Sequence, residues 1–193
     1  MLPRKAGAVV MAFAVRAAHP ARWLLLVLWL LAGCAAAQPA RVESALKAAY
    51  LVKFAGFVDW PGTAFARADS PLVIGVAGNE ELAQQLEQMV AGRKVGSHPL
   101  TVRRLRRGDS PAGLQVLYVG NLERAASAEL LDAARGLPLL TVSDAPEAPA
   151  GMIHFVLMGD RLRFEVALRE VAPSGLKISA RMLAAAWRIT GTT

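Results

Sequence analysis

Cysteine is almost absent from this chain: of 193 residues only Cys34 is one. It stands at the end of what reads as an export signal. Whether it is lipidated or discarded, no intrachain disulfide can form, so an exported domain must hold together by its core alone. Acidic residues are missing from positions 1–37, which hold Arg4, Lys5, Arg16 and Arg22. Long apolar runs are missing too. The longest, "WLLLVLWLLAG" from Trp23 to Gly33, has 11 residues, whereas a membrane-crossing helix needs about 20. A basic start, a short apolar stretch and small residues after it predict a signal peptide over residues 1–37 and one domain over residues 38–193. Met1 and Met11 both remain as starts.

Loss of the signal also removes the apparent basicity. The chain carries a net +7, but without those four basic residues 18 bases face 15 acids, a net +3. That balance, together with export, excludes nucleic acid as the expected partner. The cleavage region has two readings. "LAGC", Leu31 to Cys34, looks like a lipobox, with Cys34 lipidated and the membrane reached only through that anchor. "AAAQ", Ala35 to Gln38, fits an ordinary signal-peptidase site that would discard Cys34. The mass of the mature N-terminus distinguishes them.

Histidine is scarce as well: His98 and His154 are the two beyond the signal. No G-x-S-x-G, H-E-x-x-H or P-loop pattern occurs. Nucleophilic catalysis needs a nucleophile beside a base, and zinc needs three or four ligands. The reading is therefore no enzyme, no metal and no cofactor. "GVAGNEE", 75–81, joins a strand to a helix, but two glutamates in the first turn disfavour phosphate there.

What is present is a regular alternation. Residues 38–43 read as a tether and residues 42–58 as a helix that ends before Pro61. "PLVIGVAG", "LQVLYVG" and "LPLLTVSD" read as buried strands. A helix over "NEELAQQLEQMVAG" is capped by Asn79, a second spans 123–135, and a short strand lies at 100–105. "GMIHFVLM" and "RLRFEVAL" flank Gly159-Asp160, a two-residue hairpin turn that sets Met158 against Arg161 and His154 against Glu165. A helix from Ser179 closes the chain. The predicted fold is α/β: one small domain, a mainly parallel sheet of βαβ units with helices on both faces, a C-terminal β-hairpin and a closing helix.

Aromatics are only 6% of the chain, yet Tyr50, Phe54, Phe57 and Trp60 crowd into "AAYLVKFAGFVDWP". On a helical wheel Leu46, Tyr50, Leu51, Phe54, Phe57 and Val58 share one face, the stripe of a helix packed on a sheet. Trp60 falls off that stripe and is a candidate for contact with a partner. The other candidates are the His154 and Glu165 pair, Arg163 beside it, and Arg103 and Arg104 in "RRLRR". Each also has a plainer reading, as a cross-strand pair or a solvated charge run.

The order of "YLVKFAGFVDWP", "LVIGVAG", "LQVLYVG", "LLTVSD", "GMIHFV", "RLRFEVAL" and "GLKISARML" resembles YfiR-like periplasmic proteins over residues 45–183. The resemblance implies a small α/β domain, often a homodimer, that binds the periplasmic sensory domain of an inner-membrane diguanylate cyclase. Such binding holds the cyclase off and lowers cyclic di-GMP and biofilm formation. Release is tied to envelope or redox stress and can involve an outer-membrane lipoprotein. Where the family commonly has Cys-His, this chain has Leu114-Gln115, which excludes control through disulfides. Where the family favours Asn, it has His154 and Ala167. A lipid anchor would favour the outer membrane, since Ala35 lacks the Asp that favours inner-membrane retention. An alternative left open is a periplasmic module for an aromatic or anionic metabolite with no cyclase partner.

Overall fold

The apolar run after Pro71 forms an interior strand of the main sheet. In the computed structural model, which describes residues 37–144 and 151–191, strand β2 (Leu72–Ala77) is flanked on both sides by parallel neighbours. One is β4 (His98–Leu105), with Ile74 opposite Val102. The other is β5 (Val116–Val119), with Ile74 opposite Val116. Strands covered on both faces read as continuous β-branched runs because neither face meets water. Beyond β5 the sheet continues through β6 (Leu140–Ser143), β7 (Ile153–Met158), β8 (Arg161–Ala167) and β10 (Arg188–Thr190). The far edge is β3 (Lys94–Val95), antiparallel to β4. The eight-stranded sheet is mainly parallel, with β7–β8 the antiparallel hairpin expected around Gly159-Asp160.

Helices cover both faces, as expected. Helix α2 (Glu80–Val90) starts where the Asn79 side-chain oxygen accepts from the Leu82 N–H at 2.9 Å. It buries Leu82, Leu86 and Val90 against Leu72, Ile74 and Val76. Helix α3 (Arg124–Ala134) lies on the opposite face, over Leu117, Val119 and Leu139. Helix α1 (Ala37–Phe57) shares the α2 face. Its Tyr50 and Phe54 interlock with Phe155 and Phe164 of the hairpin, at centroid separations of 5.0–5.9 Å. Aromatic pairs in that range contribute beyond simple area burial.

Three expectations need correction. Helix α1 begins at Ala37, so it takes in the whole of the expected tether, and it ends at Phe57. Val58–Asp59 leaves it as β1, paired with β9 (Lys177–Ile178), so the helix stops for a strand partner before Pro61 acts. The buried stripe of α1 is also rotated from the wheel. Leu51, Phe54 and Val58 are buried, but Leu46 and Phe57 are exposed, and Ser44, Lys47 and Ala48 take their place. Finally, the closing helix α5 covers only Ala180–Ala185. Ala186 turns extended, Trp187 N–H reaches Phe164 O at 2.8 Å, and residues 188–190 become β10. Pairing with the free edge of β8 overrides the helical preference of the alanine run, and Ile189 and Thr190 suit a strand. A short helix that periodicity did not reveal, α4 (Leu168–Val171), follows β8.

Candidate functional site

Hairpin register sorts the C-terminal third into two faces. Leu162, Phe164 and Val166 of β8 enter the core, so Arg161, Arg163 and Glu165 point to the other side. The apolar layer beneath α3 takes no residue from β7, β8 or β10. Among the described residues, the apolar layer under α3 thus stops short of these outer strands, whose α3-side face carries polar and aromatic residues instead.

On that face His154 and Glu165 are cross-strand partners by register, as the turn predicted. Their side chains nevertheless engage others. His154 Nδ1 lies 3.1 Å from Ser143 Oγ, which itself accepts from the Gly151 N–H at 3.3 Å. Glu165 pairs with Arg188 at 3.3 Å, across the β8–β10 seam. The Arg163 guanidinium sits 5.9 Å from the Trp187 ring centroid, within cation–π range, and Trp187 is half exposed. Trp187 and Arg188 were missed because the sequence pattern assigned them to a helix.

Elsewhere the sequence candidates have structural work. Trp60 donates its indole N–H to Ala55 O at 3.2 Å and packs edge-on to Phe65, so it caps the core rim. Arg104 is held by α2: its guanidinium makes two bonds to Glu87, at 2.9 and 2.7 Å, and a third to Glu80. Arg103 donates to Ser110 O at 2.7 Å. The charge run "RRLRR" is thus partly neutralised and partly consumed in a loop, and these arginines do not join the outer-strand face. Cys34 lies outside the described residues. At the positions where the family has Cys-His, Leu114 is buried under α3. Gln115 accepts from Val73 N–H at 2.8 Å and donates to Ala64 O at 2.7 Å.

One charged cluster escaped sequence reading. Lys47, on the inner face of α1, bonds Asp144 and Glu43, each at 2.5 Å. Tyr118 O–H donates to the same Asp144 oxygen. Burial alone would lower the Lys47 pKa, but the hydrogen bonds to Asp144 and Glu43 outweigh it and raise it above 10.5. For Tyr118, burial and then the Asp144 charge both disfavour phenolate and push the pKa far above 10.0. This cluster ties α1 to the carboxyl ends of β5 and β6. Only the Glu43–Lys47 spacing was visible beforehand. The strand order that brings Asp144 to Lys47 is tertiary information.

Among the described residues no group of three or more His, Cys, Asp or Glu could hold a metal ion. No helix of the described residues is long and apolar enough to cross a membrane. The fold defines a small α/β domain whose outer strands carry a polar, aromatic-bearing sheet surface. More particularly, the chain belongs to the YfiR/HmsC-like family, whose model matches residues 44–186. No curated protein matches it.

Proposed function

We propose that this protein is an exported, non-catalytic regulator that binds the periplasmic sensory domain of an inner-membrane diguanylate cyclase. Binding holds the enzyme off and so lowers cyclic di-GMP and biofilm formation. Residues 1–37 act as the signal peptide. If Cys34 is lipidated, the protein sits at the outer membrane, where an outer-membrane lipoprotein is a second partner. A homodimer completes the regulatory unit. Family membership supports the class of partner.

The observation that carries the reading is the face of β7, β8 and β10 that, among the described residues, lies beyond the apolar layer of α3. It sets Arg163, Glu165 and Arg188 beside a half-exposed Trp187. Trp and Arg are the residues that most often dominate protein interfaces. Among the described residues, no group of three or more His, Cys, Asp or Glu competes with that role by holding a metal ion. Deleting the gene should raise cyclic di-GMP and biofilm, and restoring it should capture a membrane cyclase on co-purification. Flat cyclic di-GMP with no captured cyclase would reject the proposal.

A further inference from the structure

At the carboxyl edge of the sheet, on the α3 side, a cleft of about 210 Å³ lies between α3 and the loop at 106–111. Its floor is apolar: Ala77 ends β2, Leu105 ends β4, and Leu122, Ala126 and Leu130 come from the approach to α3 and from α3 itself. The position follows from topology. From β2 the chain winds through α2 to β4 on one side, while β5 lies on the other side and leads through α3 to β6. The carboxyl ends of strands at such a reversal part and leave a crevice, where open α/β sheets bind ligands.

The outer wall is built in advance. Arg106 N–H donates to Asp109 Oδ2 at 2.7 Å, and Asp109 N–H donates back to Arg106 O at 3.1 Å. Gly108 takes the left-handed turn position, with φ of +85°. Arg103 fastens the far end of the loop through Ser110 O. A wall so braced loses little freedom when a ligand enters, which favours binding.

Charge at the rim selects the ligand. Arg106 and Arg107 both line the cleft. Among the described residues Arg107 has only a long contact with Glu123, 3.8 Å between two exposed side chains. The Arg106 guanidinium has no ion pair among the described residues. Of the two acids at the rim, Asp109 is engaged by its own turn, and Glu129 opposes an anion from α3. A cavity of about 150 Å³ is enough for benzene. We propose that this cleft binds a small carboxylate with an apolar, ring-sized body, its ring on the Ala77–Leu122–Leu130 floor and its carboxylate on Arg106 and Arg107. Arginine is suited to that end because its planar fork matches a carboxylate.

The proposal is independent of the cyclase reading and is tested on the purified protein alone. Titration with phenylacetate, followed by amide NMR and calorimetry, should give saturable shifts confined to residues 105–111 and 122–133. Phenylacetamide, the uncharged isostere, should bind about tenfold more weakly, the scale of one charge-assisted hydrogen bond. Arg106→Ala with Arg107→Ala should erase that difference and keep the weaker binding. Glu129→Gln should tighten the acid, and Ala126→Phe, on the helix surface, should abolish binding of both with an unchanged melting temperature. Absence of saturable shifts in these segments, equal affinity for acid and amide, or binding that survives Ala126→Phe would overturn it.

Discussion

Lys47 shows that a charged residue can follow the helical period into the core. It stands two turns before Phe54, on the same face, and is buried between Glu43 and Asp144. Removing one partner of a buried ion pair leaves an uncompensated charge, which costs far more than the intact pair contributes. Asp144→Ala also strips Tyr118 of its acceptor, so we expect a loss of about 3 kcal/mol, read from the urea midpoint. The pH dependence has a definite sign. Lys47 and Tyr118 both have raised pKa values in the folded state. Each then contributes stability that is complete below its unfolded pKa, near 10.5 and 10.0, and is lost as pH rises above it. Urea midpoints should therefore hold steady from neutrality and fall above about pH 10. Lys47→Met together with Tyr118→Phe should flatten that fall, and an unchanged alkaline slope would contradict the assignment.

At the scale of elements, local signals succeeded where the element satisfies itself. Helix α2 has its cap, its first-turn acids and a helical apolar spacing within one short stretch, and it forms as read. Asn79→Ala removes the side-chain acceptor for Leu82 N–H and should cost about 1 kcal/mol in thermal or chemical unfolding. An effect below a few tenths would mean that solvent caps the helix equally well. The hairpin was legible for a similar reason: period-two alternation and a two-residue turn fix register together. The helix expected after Ser179 failed because the decisive partner is remote. Residues 188–190 are recruited by the edge of β8, more than twenty positions earlier in the chain. Tertiary pairing overrode a weak propensity, and with it went any sign that Trp187 and Arg188 join Arg163 and Glu165.

For the molecule as a whole, the two faces of the sheet divide the labour. One face is filled by α1 and α2, and α3 covers only the central strands of the other. Among the described residues the outer strands keep an open side, and substitutions there should separate binding from folding. Trp187→Ala and Arg163→Glu alter surface groups, so stability should change by no more than about 0.5 kcal/mol. Capture of the cyclase and repression of cyclic di-GMP should nevertheless fall at least tenfold if this face docks the partner. Full repression by both variants, at wild-type protein levels, would move the docking surface elsewhere.

The sequence by itself determined the α/β class, the buried strands, the capped helix and the hairpin register. Each rests on periodicity, capping or turn chemistry between near neighbours. It also determined family membership, since that lies in the order of modest motifs along the chain. Only the tertiary structure decided which polar residues meet. His154 turned to Ser143, Glu165 to Arg188, Arg104 to the glutamates of α2, and Lys47 to Asp144. These pairings depend on strand order and helix placement. Side-chain hydrogen bonds go to whichever group the packed backbone brings within about 3 Å, and chain proximity carries no record of that.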